Sequence, residues 1–348
     1  MSNLDYFINI LSYAKERNAT DIHITAGAVP AMRVEGKLSY IPFETVFPKD
    51  TENILNELLN EEQKNILRAS RYLSLPLVIK DIGRLRANVY MQRGSFSINF
   101  RILDRLLKTA EELGIPDVVM NLYQKKSGLI LICGNRNSGI SATRAFIIKK
   151  ISESRECLII TIEDPIEYLF KHDKSIVNQK EIGIDVNSFQ EGVYSAMTQD
   201  PDVIMISFSG DPDIFSAALT AAENGHLVIA SLHTVGSVKT IRYIIEMFPV
   251  DKRNNIKMRL YHTLQAIISQ QMIPTKDEKG TIPAMEIVLA TSAVKNLIIE
   301  NKIYQIPDVI KASKSLGMIT IEDYVNSLYS RGLISKESAL SFSHNQRE

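Results

Sequence analysis

The fold of this chain is decided by the stretch Gly134-Asn135-Arg136-Asn137-Ser138-Gly139-Ile140-Ser141. Its spacing is that of a phosphate-binding loop, G-x-x-x-x-G-K-[ST], with every fixed position filled except the lysine, where the chain has Ile140. An apolar run at 129–133 precedes the loop, and residues 142–151 have the pattern of a helix. Strand, loop and helix in this order form the setting in which such a loop binds phosphate. The sequence therefore predicts a phosphate cradle that lacks its main cation.

The amino-acid composition of the chain excludes several classes of function. The chain has 348 residues, which is enough for two domains and a substantial core. Forty basic residues balance forty acidic ones, so charge gives no support for nucleic acid as a partner. The two cysteines are too few for a zinc site. The sequence shows no signal-peptide pattern at its start and no apolar run near the ~20 residues that cross a bilayer. We expect a cytoplasmic protein.

Residues 1–102 have the pattern of a small α+β domain. Apolar residues at helical spacing predict a helix that begins near residue 4 and a second helix over 51–69. Alternating residues predict strands at 21–25, 31–35 and 38–41, followed by a hairpin over 84–102. One face of the hairpin is apolar, and the other carries Arg84, Arg86 and Arg101. These arginines either solvate one side of a sheet or form a surface that meets an anion.

A charged linker at 103–110 follows this domain, and the pattern of the sequence changes after it. Residues 109–112 fit a capping box, which predicts the start of a helix. Residues 111–290 alternate apolar strands at 129–133, 157–162, 203–206 and 227–232 with helices near 141–154, 188–198 and 212–224. This alternation predicts a mainly parallel sheet covered by helices on both faces. A strand pair near 267–273 and 282–290 closes this domain. A helical region at 291–342 and a disordered tail at 343–348 complete the predicted organisation.

Polar residues follow the predicted parallel strands where each strand ends. The loop follows the first strand, Glu163 the second, residues 207–211 the third and His233 the fourth. Ligands bind at the carboxyl ends of the strands in sheets of this kind. The sequence therefore predicts one site at this edge of the sheet.

Further motifs, spread over nearly the whole chain, belong to one family. They are Thr20-Asp21-Ile22-His23-Ile24, Gly83-Arg84-Leu85-Arg86-Ala87-Asn88, Thr161-Ile162-Glu163-Asp164-Pro165-Ile166-Glu167, Asp200-Pro201-Asp202, Gly225-His226-Leu227-Val228, Leu232-His233-Thr234 and Ala293-Val294-Lys295-Asn296-Leu297-Ile298. Together with the loop they resemble the type IV pilus retraction ATPases, the PilT-type twitching-motility enzymes of the secretion-ATPase superfamily. The resemblance implies a PAS-like N-terminal domain, a RecA-like P-loop domain and a helical C-terminal region.

The resemblance also implies a ligand, partners and a place in the cell. The ligand is ATP or ADP with Mg²⁺. The assembly is a homo- or hetero-hexameric ring, peripheral at the cytoplasmic face of the inner membrane and docked on the pilus assembly platform protein, with no nucleic acid involved. The implied nucleotide-binding residues are Gly134, Asn135, Arg136, Asn137, Ser138, Gly139, Ile140, Ser141, Ala142, His233, Arg84, Arg86 and Arg101. Ser141 is the implied Mg²⁺ ligand, and Glu163 is the implied second acid near the γ-phosphate.

The chain departs from the family pattern where hydrolysis is carried out. Ile140 replaces the lysine of the loop, Phe208 replaces the glutamate that activates water, and Gly210 replaces an arginine. A positioned general base contributes ~10²–10⁴-fold to a rate, and a charge stabiliser ~10²–10³-fold. This degenerate Walker A motif and the missing base predict a pseudo-ATPase with weak or no hydrolysis. It would act within or alongside a ring that contains an active paralogue.

Two other functions remain open at the level of sequence. The chain could be an active but atypical retraction ATPase that uses Arg136 or Arg144 as its cation and Glu163 as its base. It could equally be a docking protein of the pilus assembly platform that needs no nucleotide. Glu163 also has an ordinary structural interpretation, as an acid at the end of a strand that caps the turn at Pro165.

Overall fold

The computed structural model describes residues 3–34, 36–103, 107–207, 210–277 and 280–344. The chain divides into two compact units, Met1–Leu106 and Leu107–Glu348. Part of the predicted linker, residues 104–106, lies outside the described residues.

The N-terminal unit is a six-stranded antiparallel sheet with three helices. Its strands run in the order β3-β2-β1-β6-β5-β4, and the core between sheet and helices contains Phe7, Leu11, Ile54 and Phe100. The elements are α1 Asn3–Glu16, β1 Asp21–Thr25, β2 Ala31–Val34, β3 Lys37–Tyr40, α2 Pro48–Leu58, α3 Glu61–Ser70, β4 Tyr72–Ile79, β5 Gly83–Gln92 and β6 Ser95–Ile102.

Two expectations for this unit differ from the structure. The single helix predicted over 51–69 is two helices, because Asn60 starts a new one: its side chain accepts from the Gln63 amide and the Gln63 side chain accepts from the Asn60 amide. Strand β4 was not predicted. It pairs along its whole length with β5 at the edge of the sheet and carries Pro76, a residue that weakens a strand signal.

The second unit is a seven-stranded, mainly parallel sheet with helices on both faces. The strand order is β13-β12-β7-β11-β10-β8-β9, and among the described strands of this sheet the β12–β13 pair alone is antiparallel. The elements are α4 Asp117–Met120, β7 Gly128–Cys133, α5 Ile140–Ser154, β8 Leu158–Glu163, β9 Ile176–Glu181, α6 Phe189–Met197, β10 Val203–Ile206, α7 Pro212–Glu223, β11 Leu227–Leu232, α8 Ser237–Glu246, α9 Arg253–Thr263, β12 Leu264–Pro274, β13 Thr281–Leu289, α10 Ser292–Ile299, α11 Ile306–Ala312, α12 Ile321–Ser330 and α13 Lys336–His344.

Burial on both faces explains the continuous apolar strands. In β7, Leu129 and Leu131 belong to the core on one face of the sheet, and Ile130 and Ile132 to the core on the other. This is the α/β architecture, with a RecA-like parallel sheet and a helical C-terminal region, that the sequence predicted.

The capping box at 109–112 forms, but residues 110–114 form a turn and not a helix. The Thr109 amide donates to the Glu112 carboxylate over 2.8 Å, and the Glu112 amide donates to Thr109 Oγ1 over 3.3 Å. The segment is a single turn that ends at Gly114, whose φ is 59°, shortly before Pro116. Strand β9 and helix α8 were also not predicted. At the C-terminus α13 runs to His344, and residues 345–348 lie outside the described residues.

Candidate functional site

The loop between β7 and α5 is held by close backbone packing. A Cβ on Gly134 would collide with the Gln270 carbonyl oxygen and with Ser138 Oγ. Gly139 has a φ of 81°, and a Cβ there would lie 2.7 Å from Gln270 Nε2. Both glycines are therefore required by this conformation.

Gln270 is the side chain that fixes the loop to the helix. It is buried in β12, donates from Nε2 to the Ser138 carbonyl over 2.8 Å, and accepts from Thr143 Oγ1 over 2.7 Å. Sequence reasoning missed Gln270, and the available signal was a polar residue inside an apolar strand. The side-chain amide of Gln270 thus forms one hydrogen bond with a carbonyl of the loop and another with a hydroxyl of α5. The same side chain therefore holds the loop and the start of the helix.

The start of α5 has the properties of a phosphate site. Helix α5 has no side-chain cap, and among the described residues none accepts from the amides of residues 139–142. Ser138 Oγ is buried and has no hydrogen-bond partner in the described part of the chain. Unpaired amides at a helix N-terminus carry partial positive charge and bind phosphate. The backbone of the loop therefore fits a phosphate group.

Ile140, at the position of the missing lysine, is part of the core. Its side chain is 7% exposed and belongs to the apolar cluster that contains Ile132 and Ile147. An isoleucine in this cluster stabilises the packing of α5 on the sheet and offers no charge to a phosphate. The residue that replaces the expected lysine thus contributes to the packing of the core and supplies no cation.

Arg144 lies one turn further along α5, on the same face as Ile140. It is 5% exposed, and its Nη1 donates to Ser207 Oγ over 2.6 Å and to the Ile206 carbonyl over 3.4 Å. Burial lowers the pKa of its guanidinium, and the negative charges of Glu163 and Glu167 oppose that shift. A guanidinium remains protonated at neutral pH, so a fixed positive charge lies at the ends of β8 and β10.

Glu163 ends β8 as a buried carboxylate. It accepts from Thr161 Oγ1 over 2.7 Å and from Gln179 Nε2 over 3.2 Å. Burial raises its pKa, whereas the charge of Arg144 and these two hydrogen bonds lower it, with burial the largest effect. The side chain predicted as the second acid near the γ-phosphate is therefore held in the core by Thr161 and Gln179, and the charge of Arg144 acts on it.

The side chains near the loop do not form a prepared Mg²⁺ site. Ser141, the predicted ligand, donates its hydroxyl to Glu167 Oε1 over 3.0 Å. Glu163 and Glu167 both face the Arg144 charge. In the described ranges no three His, Cys, Asp or Glu side chains cluster closely enough to hold a metal. Oε1 of Glu163 and Oε1 of Glu167, oxygen atoms of the kind that Mg²⁺ prefers, thus already accept from protein donors.

The turn after β10 has a backbone conformation that favours glycine. Phe208 lies outside the described residues. Gly210 has a φ of 91°, and a Cβ there would collide with the Tyr243 hydroxyl, which donates to the Gly210 carbonyl over 3.4 Å. Asp211 caps α7 by accepting from the amides of Asp213 and Ile214. An arginine at position 210 would require this turn to change.

His233 lies next to the loop at the same edge of the sheet. It follows Leu232, which pairs with Cys133 immediately before Gly134, and its side chain is exposed. The turn after it is anchored because the Gly236 amide donates to Ser269 Oγ over 2.8 Å and the Ser237 amide to Glu286 Oε1 over 2.7 Å. Burial raises the pKa of Glu286.

The three arginines predicted to meet nucleotide share one face of the N-terminal sheet. Arg84 and Arg86 are on β5, and Arg101 lies opposite Arg86 on β6. Arg101 forms an ion pair with Asp21 at 2.9 Å, and Arg86 Nε donates to Ser74 Oγ over 2.8 Å. These contacts order the arginines within their own unit, and their role towards nucleotide stays a prediction.

The remaining predicted residues form the exposed rim of the loop. Asn135, Arg136 and Asn137 are exposed, and Asn137 has a φ of 65°. Ala142 is half-buried in the first turn of α5. The structure thus gathers residues 134–142, Glu163 and His233 at one edge of the parallel sheet.

The loop between β7 and α5 resembles a P-loop and lies on a RecA-like sheet, and these two features define the class of protein. Comparison with known sequences gives the same class. Residues 84–323 match the family model of type II/IV secretion system proteins, and the chain belongs to this family.

Its relatives include pilus retraction motors. The type IV pilus retraction ATPase PilT of Pseudomonas aeruginosa is 33% identical over 330 residues, which cover 95% of this chain and 96% of PilT. The twitching motility protein of Neisseria gonorrhoeae is 34% identical over 314 residues, which cover 90% and 84% of the two chains. The crystal structure of the pilus retraction motor PilT with bound ADP has a TM-score of 0.89 at 38% identity and covers 96% of both chains. The predicted family and fold class are confirmed.

Among the described residues no helix is both long and apolar enough to cross a membrane.

Proposed function

We propose that this chain is a pilus retraction-motor homologue that binds ATP or ADP through its loop and hydrolyses it weakly or not at all. The observation that carries the proposal is the contrast at the start of α5. No group in the described part of the chain accepts from the amides of residues 139–142, whereas Ile140, in place of the lysine, is buried in the core. The backbone can hold a phosphate, and the side chain that would help to cleave one is absent.

The cost of the missing lysine is moderate for binding and large for catalysis. A hydrogen bond to a charged group contributes about 1.5–3 kcal/mol, so affinity falls by ~10- to 100-fold. Loss of the general base at position 208 costs a further ~10²–10⁴-fold in rate. These factors need not multiply. A typical turnover of ~10 s⁻¹ nevertheless becomes negligible when both are lost.

In this proposal the chain works within or alongside a hexameric ring with an active paralogue, docked on the pilus assembly platform. Residues 111–290 serve as the ATPase domain, residues 291–342 as a helical output region, and Arg84, Arg86 and Arg101 close over nucleotide. The support is the similarity to retraction ATPases over nearly the whole chain and a core that has kept its packing. Altered residues are concentrated at the strand ends.

A working but atypical ATPase is the second candidate. Arg136 favours it, because this side chain is exposed in the loop and could contact a bound phosphate. Arg144 is a weaker choice, since it already donates to Ser207 and the Ile206 carbonyl.

Two measurements on the full chain separate the candidates. We expect a labelled ATP analogue to bind saturably and steady-state ATPase activity to be near background. Clear Mg²⁺-dependent turnover that Glu163→Ala abolishes would establish the atypical ATPase. Absence of binding at millimolar nucleotide would leave the nucleotide-independent docking protein.

A further inference from the structure

Arg144 is fixed where two neighbouring strands end. Strands β8 and β10 are paired so that Ile162 lies opposite Ile206, and the Ser207 amide donates to the Ile162 carbonyl over 3.0 Å. Glu163 and Ser207 therefore follow side by side. The guanidinium donates to Ser207 Oγ, and the charge of Glu163 acts on it.

The two carboxylates near the loop are already balanced by protein donors. Glu163 and Glu167 are the acidic groups whose charges act most strongly on Arg144. Glu167 accepts the Ser141 hydroxyl, and Glu163 accepts from Thr161 and Gln179. A divalent ion entering here would compete with these donors for the carboxylates and would approach a fixed positive charge.

Arg144 also retains an unused donor. Its Nε is buried and has no hydrogen-bond partner among the described residues. A buried cation is costly unless negative groups compensate it. The two carboxylates give part of that compensation, and a bound phosphate at the start of α5 would add to it.

We propose that Arg144 is a resident cation that takes the place of Mg²⁺, so that the loop binds a nucleoside di- or triphosphate without divalent metal. The proposal rests on the nucleotide binding proposed above and replaces the expectation that Ser141 holds Mg²⁺. Arg144 is a positioning residue here: it neutralises the acidic strand ends and leaves the phosphate to the backbone amides.

The test compares the affinity of a fluorescent ADP analogue in excess Mg²⁺ with its affinity in excess EDTA. For the unmodified chain we expect the two dissociation constants to agree within about threefold. For Arg144→Met, which keeps the length and removes the charge, we expect metal-free affinity to fall by about tenfold or more and Mg²⁺ to restore it. Arg144→Lys, which keeps a charge, should remain largely independent of metal.

Arg155→Met is the matched control. Arg155 follows the other end of α5 and donates to the carbonyls of Tyr123 and Lys125, away from the loop. Its loss should leave the response to EDTA unchanged.

Each outcome decides the question. If the unmodified chain binds the analogue only when Mg²⁺ is present, the proposal that Arg144 replaces Mg²⁺ is wrong, but the proposed nucleotide binding is supported. Absence of binding with and without Mg²⁺ overturns both proposals. If Arg144→Met does not fold, the change in affinity between Mg²⁺ and EDTA, measured for the unmodified chain and for Arg144→Lys, still tests whether binding needs the metal.

Discussion

The loop after β7 and the ends of β8 and β10 lie at the same edge of one sheet, but they differ in what carries their chemistry. In the loop the chemistry belongs to the backbone: amides, glycine conformations and the Gln270 anchor. At the strand ends it belongs to side chains, which here are Glu163, Ser207 and Arg144. The loop keeps the family pattern apart from the lysine, whereas the end of β10 is followed by Phe208 and Gly210 in place of the family's glutamate and arginine.

Under the proposed function, this difference explains how a chain of this family loses hydrolysis and keeps its ligand. Backbone amides are retained as long as the fold is retained, because any residue except proline supplies one. A general base or a charge stabiliser is lost with a single substitution.

Restoring the strand ends should produce the largest effect. We predict that Ile140→Lys with Phe208→Glu stays nearly inactive, because the Arg144 guanidinium keeps its positive charge at the ends of β8 and β10, where it acts on Glu163. Adding Arg144→Met should raise steady-state Mg²⁺-dependent turnover by ~10²–10⁴-fold, the contribution of a positioned base.

Equal activity of the double and triple variants would show that Arg144 does not restrain the site. A silent triple variant that still binds nucleotide would indicate that the arginine replaced by Gly210 is also required.

A substitution that disturbs the loop backbone should have the next largest effect, which we expect on the affinity for nucleotide. In Gly139→Ala the new Cβ meets Gln270 Nε2 at a φ of 81°, and we expect affinity for an ADP analogue to fall by about tenfold or more. Gly183→Ala is the control, since Gly183 has a φ of 83° and open space around it. Equal affinities of the two variants, measured by fluorescence titration, would contradict a backbone cradle.

Loss of the anchor should act on stability. Gln270→Ala removes the donor to the Ser138 carbonyl and leaves the Thr143 hydroxyl only the Gly139 carbonyl, 3.4 Å away, so we expect the free energy of unfolding to fall by about 2 kcal/mol. The neighbouring Gln271 is only half-buried, and Gln271→Ala should cost less than about 1 kcal/mol. Denaturant unfolding measures both, and equal costs would remove Gln270 from its proposed role.

The smallest effect concerns pH and the turn after His233. Burial raises the pKa of Glu286 above its ordinary value of 4.5, so the folded protein retains that proton longer than the unfolded chain. Stability from this group is full below pH 4.5 and is lost as pH rises through the folded pKa. Thermal melts should therefore show that Glu286→Gln gains stability relative to the unmodified chain as pH rises. A difference that is constant with pH would contradict this.

The sequence was sufficient for the parts of the fold that depend on local pattern. The apolar runs of β10 and β11 and the glycine spacing of the loop predicted those elements and their order. Strand β4 and the break at Asn60 were missed, because a proline and a polar cap carry a weak signal within a longer apolar pattern.

The candidate site was predictable in position but not in its contacts. The order of strands placed the loop, Glu163 and His233 at one edge. The roles of Gln270 and Arg144 depend on residues far away in sequence, for example the 127 positions between Thr143 and Gln270. Such pairings arise only when the sheet is assembled.

The central claim is that this chain holds a nucleoside triphosphate and does not cleave it. A single-turnover experiment tests it directly: excess protein is mixed with γ-labelled ATP, and the bound nucleotide is recovered and separated. The account predicts that ATP is recovered intact with Mg²⁺ present, long after an enzyme of ~10 s⁻¹ would have converted it. Stoichiometric release of labelled phosphate, lost in Glu163→Ala, would contradict the account.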